Sequence, residues 1–196
     1  MDGSGKSTHI KLFANRLKQL GIKCHTTFEP TYSPVGSVIR QILTGRIAAD
    51  NRVIASLFAA DRLDHLLNDI DGIRKKIDDG FIVLCDRYCF SSYAYQSVDV
   101  PLDWVINANA LCADILRPAC TVFIDITPDE AINRIKTERQ IFELFETKER
   151  LTSVREKYFN VFDMFKDTES VVVVDGGRDM QTVSDEIWSK LSYLFN

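Results

Sequence analysis

The sequence predicts a three-layer α/β fold in which a parallel sheet is covered by helices on both faces. Three observations predict it: short, wholly apolar runs recur along the chain, amphipathic helical stretches separate them, and polar or charged residues gather just after the runs. Short continuous apolar runs are what parallel strands look like when both faces are buried. Their alternation with helices implies parallel crossovers. In such a sheet the ligand sits at the carboxyl ends of the strands. With 196 residues, one domain spanning 1–196 is long enough to bury a full core.

The elements follow in order. Ile10, Phe13, Leu17 and Leu20 fit one face of a helix that Gly21 ends. Ile22 to Phe28 reads as a strand. Val35, Val38, Ile39, Ile42 and Leu43 repeat at helical spacing and stop before Gly45. Val53 to Leu67 is a further helix, and Ile70, Ile73 and Ile77 suggest a short one ending at Gly80. Phe81 to Cys85, Thr121 to Ile126 and Val171 to Val174 are the remaining strands. Thr127-Pro128-Asp129-Glu130 is a helix start: Thr127 caps, Pro128 suits the first position and Glu130 completes a capping box. Helices over Lys148 to Phe165 and Met180 to Phe195 close the chain.

An apolar fraction of 45% with 27% charged residues is that of a soluble globular protein. The net charge of −4 argues against a nucleic-acid polymer as partner. A small anion is still allowed, because a few cations focused in a cleft suffice. The five cysteines are odd in number and form no C-x-x-C pair, so reduced, mostly buried thiols are expected rather than zinc or disulfides. No apolar run reaches ~18 residues and no signal peptide opens the chain, so no membrane is expected and the cytosol is the default.

The chain opens Met1-Asp2-Gly3-Ser4-Gly5-Lys6-Ser7-Thr8, which matches the back part of the phosphate loop G-x-x-x-x-G-K-[ST]. Glycines let successive N–H groups turn onto phosphate oxygens, and the following helix adds its positive amino end. Gly3, Ser4, Gly5, Lys6, Ser7 and Thr8 are the candidate ATP and phosphate binders. Lys6 supplies charge for the β- and γ-phosphates and the Ser7 hydroxyl ligates Mg²⁺. The first Gly of the motif would lie one residue before Met1, and the strand that should feed the loop is absent. Either Met1 is an internal residue behind a wrongly assigned start, the favoured expectation, or the chain is truncated and folds poorly or is inactive.

Asp86-Arg87-Tyr88 directly follows a buried strand. The ligand-site reading is favoured over a surface ion pair: Asp86 acts through a Mg²⁺-bound water and Arg87 forks onto a phosphate. Ser92, Tyr95 and Gln96 share a helical face suited to a base and sugar, or form an amphipathic helix with Tyr in the core. Phe58 and Arg62, four apart, make a stacking ring beside a guanidinium; alone, such a pair is more often a core Phe with a surface Arg. Glu29-Pro30 ends the second expected strand, where Glu29 contacts sugar, organises water and metal, or caps a turn. The charge-dense segment at 134–150 is either a solvated helix face or a mobile lid bringing cations to a transferring phosphoryl group.

Taken together, Asp2-Gly3-x-Gly5-Lys6-Ser7-Thr8, Glu29-Pro30, Leu57-Phe58-Ala59-Ala60-Asp61-Arg62, Asp86-Arg87-Tyr88 and Ala94-Tyr95-Gln96 resemble the thymidylate kinase family. Phe123 to Pro128, Phe145-Glu146, Leu151, Val154-Arg155 and Tyr158 continue the likeness across nearly the whole chain. The resemblance implies Mg²⁺-dependent transfer of the ATP γ-phosphoryl group to dTMP. It implies that Phe58 stacks on thymine and Arg62 bonds its edge, that Arg87 holds the dTMP phosphate, and that Ser92 and Tyr95 contact base and sugar, Tyr95 near the position that disfavours a ribose hydroxyl. Asp2 would sit by the sugar 3′-hydroxyl and the phosphates. Some members place a catalytic Arg in the phosphate loop; here that position is Gly3, so Arg139, with Lys136 beside it, is the lid-cation candidate, and Arg134 is read as structural. Asp175-Gly176-Gly177-Arg178 would lie near adenine. A homodimer is also implied. Phe28, where many members have Arg, Ile141-Phe142 in the lid and the absent first strand depart from the pattern. The rival readings are another P-loop deoxynucleotide or nucleoside kinase, and a truncated non-catalytic nucleotide-binding homologue.

Overall fold

The computed structural model describes residues 1–138 and 144–195. Helix α1 (Lys6–Gln19) starts directly after Gly5 and buries Phe13 and Leu17, while Leu20 at its end is exposed. Strand β1 (Cys24–Phe28) leads into α2 (Pro34–Leu43), where Pro34 takes the first turn and the Ser33 hydroxyl accepts from the Gly36 N–H. Helix α3 (Asn51–Leu67) is capped by Asp50. The short α4 (Ile73–Asp78) begins later than the sequence suggests, leaving Ile70 82% exposed. Strand β2 (Ile82–Asp86) and helix α5 (Cys89–Tyr95) are joined by Arg87 and Tyr88, and a 3-10 turn covers Gln96–Val98.

Helix α6 (Leu102–Ile115) is an element the sequence reading passes over. Its fully buried residues are Val105, Asn109 and Cys112, so the inward stripe runs through an asparagine that a search for apolar periodicity does not count. Strand β3 (Thr121–Asp125) then enters α7 (Pro128–Glu138) through the expected capping box. The Thr127 N–H donates to Glu130 Oε2 and the Glu130 N–H to Thr127 Oγ1, both at 3.2 Å. Helix α8 (Lys148–Met164), strand β4 (Val171–Asp175) and helix α9 (Met180–Leu191) complete the chain.

The strands form parallel ladders, but not one sheet. β1 pairs with β2 from Cys24↔Ile82 to Phe28↔Asp86, and β3 with β4 from Thr121↔Val171 to Asp125↔Asp175. Among the described residues no strand lies between β2 and β3, so the single sheet of the sequence reading is found as two separate pairs. Alternate strand residues enter different apolar clusters. Ile82, Leu84, Val122 and Val172 pack with Phe13, Leu17 and Ile187 of α1 and α9. Val83, Cys85 and Phe123 pack with residues of α2, α3, α5, α6 and α8, including Phe90, Tyr158 and Phe162. An acidic side chain ends three of the strands: Asp86, Asp125 and Asp175, with Glu29 one residue beyond β1. Arg155 of α8 forks onto Asp125 at 2.7 and 2.6 Å, tying that helix to the same end of the fold. Among the described residues no helix is long and apolar enough to cross a membrane.

The loop between β1 and α2 is held from behind. The carboxylate of Asp61, fully buried on α3, accepts from the Thr31 N–H at 2.8 Å, the Thr31 hydroxyl at 2.6 Å and the Ser33 hydroxyl at 2.9 Å. This leaves no space at Gly36, where a Cβ would stand 2.1 Å from the Thr31 carbonyl oxygen and 2.8 Å from Asp61. We expect Gly36→Ala to destabilise the fold by about 1–3 kcal/mol in urea unfolding; an unchanged midpoint would show that this loop is not packed as described.

Candidate active site

The phosphate loop takes its shape from two glycines. Gly3 and Gly5 have φ of +70° and +81°, a region where a side chain is strained. A Cβ at Gly3 would also lie 2.7 Å from the carbonyl oxygen of Ala131 in α7, so loop and helix touch backbone to backbone. The Ser4 hydroxyl is buried and donates to the Met1 carbonyl at 2.9 Å; Lys6 Nζ donates to the same oxygen at 2.8 Å and stands 4.0 Å from Asp2. The Ser7 hydroxyl donates to Asp86 Oδ2 at 2.9 Å, while Asp86 Oδ1 is buried without a hydrogen-bond partner. Two hard oxygen donors and an orphaned carboxylate oxygen fit a Mg²⁺ ion.

Arg87 and Asp2 join the loop to the end of β2. Arg87 is the non-glycine residue with positive φ, +77°, among those described. Its guanidinium pairs with Asp2 Oδ1 and lies 4.7 Å over the Tyr95 ring. The Tyr95 hydroxyl donates to Asp2 Oδ2 at 2.7 Å and accepts from the Asp2 N–H at 3.0 Å. Burial alone would raise the Asp2 carboxyl, but Arg87 and then Lys6 outweigh it and hold the group well below the usual carboxylate range. A folded pKa below the unfolded one contributes stability that is fully present at neutral pH and is lost as the pH falls through the folded value.

Deeper in, Arg62 is 1% exposed. Its Nε and Nη2 donate to Glu29 Oε2 at 2.9 and 2.6 Å, and Nη1 donates to Ser92 Oγ at 3.0 Å and to Asn109 Oδ1. One hydrogen on Nη2 is left over for a ligand. Glu29 Oε1 faces His65 Nδ1 at 3.2 Å, and His65 Nε2 meets Thr27 Oγ1 at 2.6 Å. The Phe58/Arg62 pair is thus the reverse of a core Phe with a surface Arg: the guanidinium is buried and the ring is half-buried. Glu29, His65 and Cys85 bring ligand atoms within 4.8 Å of one another. The Arg62 charge already neutralises Glu29, and burial pushes the Cys85 thiol above its ordinary range, so the cluster stands as an ion-pair core with a protonated thiol beside it.

A cavity of about 670 Å³ joins these groups. The residues named from the sequence for the phosphate loop, the metal and the acceptor line it except Ser4, which is buried beneath the loop; Lys136 and Asp175 to Arg178 do not line it, and Arg139 lies outside the described residues. Gln96 is buried, lines the cavity and leaves Oε1 without a partner. Sequence reasoning missed Arg40, Tyr32, Asn109 and Glu146. Arg40 lines the cavity from α2, donating to the Pro30 carbonyl at 2.9 Å and Ser37 Oγ at 3.1 Å, with its guanidinium 4.9 Å over the Tyr32 ring. A cation set in the apolar stripe of Val38, Ile39 and Ile42, soon after Glu29-Pro30, was the available signal. Of the segment at 134–150, Arg134 donates to the Gly176 carbonyl at 2.9 Å and Lys148 pairs with Asp129 at 2.6 Å. Arg178 pairs with Glu186 and does not line the cavity.

Residues 1–187 match the family model for thymidylate kinase. A probable thymidylate kinase of Pyrobaculum calidifontis is 36% identical over 188 residues, covering 95% of this chain and 90% of that one. Another of the same name from Methanocaldococcus jannaschii is 35% identical, covering 100% of this chain and 93% of its own. A thymidylate kinase of Brachyspira hyodysenteriae is 32% identical, covering 95% and 87%.

Because Arg62 and Glu29 share a dry site, Glu29→Gln leaves a bare guanidinium in the core. We expect it to cost about 3–5 kcal/mol of unfolding free energy. A loss under about 1 kcal/mol, the range of an exposed pair, would mean that water reaches the guanidinium.

Proposed function

Because the chain belongs to the thymidylate kinase family, whose members are phosphotransferases, we propose that it transfers the γ-phosphoryl group of ATP to dTMP, giving ADP and dTDP. The observation that carries this reading is the single cavity shared by the Gly-rich loop and the Arg87–Tyr95 wall, which lets a donor and an acceptor phosphate meet. An oxygen of the dTMP phosphate attacks the γ-phosphorus, the bond from that phosphorus to the β–γ bridging oxygen breaks, and its electron pair leaves with ADP. The attacking oxygen is already anionic, so no general base is needed. The protein's part is to position both ends and neutralise charge.

Gly3, Gly5 and the amino end of α1 would cradle the donor phosphates, with Lys6 on the β- and γ-phosphates. Ser7 and Asp86 would hold Mg²⁺, which when bound neutralises charge on the transferring phosphates. Arg87 keeps Asp2 on one side and has further N–H groups to fork onto the acceptor phosphate; Arg40 adds a second cation on the same cavity. Phe58 would stack on the base. Thymine offers an N3–H donor and a carbonyl acceptor, and Gln96 Oε1, Ser92 and the last Arg62 hydrogen supply the complementary groups. Tyr95, fixed through Asp2, would sit against the sugar and disfavour a 2′-hydroxyl. The segment at 134–150 is proposed as the lid, with Arg139 as its cation. Family membership also supports a homodimer in the cytosol.

The test is ADP release with ATP, Mg²⁺ and a panel of nucleoside monophosphates. We expect release with dTMP above all others; equal or greater release with another monophosphate would overturn the assignment. Lys6→Ala should lower turnover by at least ~100-fold with unchanged circular dichroism; near-normal rates would end the phosphate-loop assignment. Arg87→Ala should raise the KM for dTMP ~10–100-fold, far more than that for ATP. Equal effects on both would mean that Arg87 serves a different ligand.

A further inference from the structure

Arg150 stands where a helix does not favour a cation. It is the third residue of α8, its backbone N–H donates to the Thr147 hydroxyl at 3.2 Å, and positive charge in a first turn opposes the helix dipole. Its surroundings explain the placement. The side chain is 17% exposed. Its Nη2 donates to the carboxylate of Asp99, just past the 3-10 turn, and at 3.4 Å to the Tyr95 carbonyl at the end of α5. The guanidinium lies 4.2 Å over the Phe145 ring. Nε is buried and has no hydrogen-bond partner among the described residues. A guanidinium that served only the Asp99 pair could turn Nε to water; here one donor is given up and the group lies on the ring.

Phe145 belongs to the active-site cavity. Phe145 and Glu146 are buried and line it, whereas Arg150 does not. The Phe145 ring lies 6.3 Å from that of Tyr95, whose hydroxyl bonds Asp2. The preceding Leu144 N–H donates at 2.9 Å to the carbonyl of Leu43, the last residue of α2, and Leu43 lines the cavity too. Residues 144–146 thus bridge the ends of α2 and α5. A main-chain bond holds them on the α2 side. On the α5 side Arg150 holds them, bonded to the Tyr95 backbone and packed on Phe145. We propose that Arg150 is a positioning residue for the acceptor: it sets Phe145 against Tyr95, and so fixes the affinity for the nucleoside monophosphate without touching it. The inference rests on the acceptor reading given under the proposed function. Lysine would keep the ion pair with Asp99, but its compact ammonium has no plane to lay on Phe145 while it bonds the Tyr95 carbonyl. The role belongs to the guanidinium plane and not to the charge.

The test measures binding of dTMP, and of the β,γ-imido analogue of ATP with Mg²⁺, by calorimetry on the full chain, and follows exchange of the Leu144 amide. Arg150→Lys should weaken dTMP about fivefold, the worth of one cation–π contact, and leave the ATP analogue within about twofold. The Leu144 amide should exchange faster in that variant. Asp99→Asn, whose side-chain oxygen still accepts from Nη2, should leave dTMP within about twofold. In a Phe145→Leu chain, Arg150→Lys should change dTMP affinity by less than about twofold, because the ring through which it acts is gone. Three results would overturn the proposal: equal weakening by Asp99→Asn, which would make Arg150 an ion-pair staple; equal weakening of both nucleotides; or an undiminished effect of Arg150→Lys in the Phe145→Leu chain. Failure of the unsubstituted chain to bind dTMP would instead overturn the acceptor reading. The Leu144 amide decides the positioning role even then, since unchanged exchange in Arg150→Lys would show that Arg150 does not hold the segment.

Discussion

The contact between Asp2 and Arg87 holds two parts of the chain that are 85 residues apart, and the site takes its form from it. Asp2 stands in the Gly-rich turn before α1; Arg87 leaves β2 in a backbone conformation that residues with side chains seldom adopt. Tyr95 closes the arrangement through two hydrogen bonds to Asp2, which brings the first turn of the chain against α5. Charge keeps it together: the carboxyl stays ionised despite burial because two cations surround it. Without this clamp the loop would keep Gly3 against α7 and the Ser7–Asp86 hydrogen bond, but would lose its direct bonds to Tyr95 in the wall that also carries Ser92 and Gln96.

The cavity concentrates cations in a protein whose net charge is −4. Lys6, Arg40, Arg62 and Arg87 all line it, and much of the balancing acid is bound up within: Asp2 with Arg87, Glu29 with Arg62. A focused field of this kind attracts a small polyanion whatever the overall charge, which is why a net charge that argues against a polymer partner still allows a nucleotide.

What could be read from the sequence was whatever depends on neighbours along the chain. The phosphate loop, the Thr127–Glu130 capping box and the apolar strand runs are local signatures, and the residues after the strands converge because parallel strands bring their carboxyl ends together. Asn109 and Arg40 were not legible, because each matters through partners far away: Asn109 reaches Arg62, 47 residues distant, from a helix whose buried stripe it interrupts. Glu29 was legible as a site residue but not in its partner, since nothing near it announces the buried guanidinium opposite.

The buried Glu29–Arg62 pair also bears on how such a protein can change over generations. Removing either member alone leaves an uncompensated charge in a place without water, at a cost of about 3–5 kcal/mol. A typical domain has only about 5–15 kcal/mol of stability in total. Single steps away from the pair therefore cross a valley of poorly folded intermediates, even where a double replacement by apolar residues would fold well. The two positions, at a strand end and on a helix, behave as one inherited unit, and a lineage that carries them keeps a buried guanidinium that it cannot exchange piecemeal.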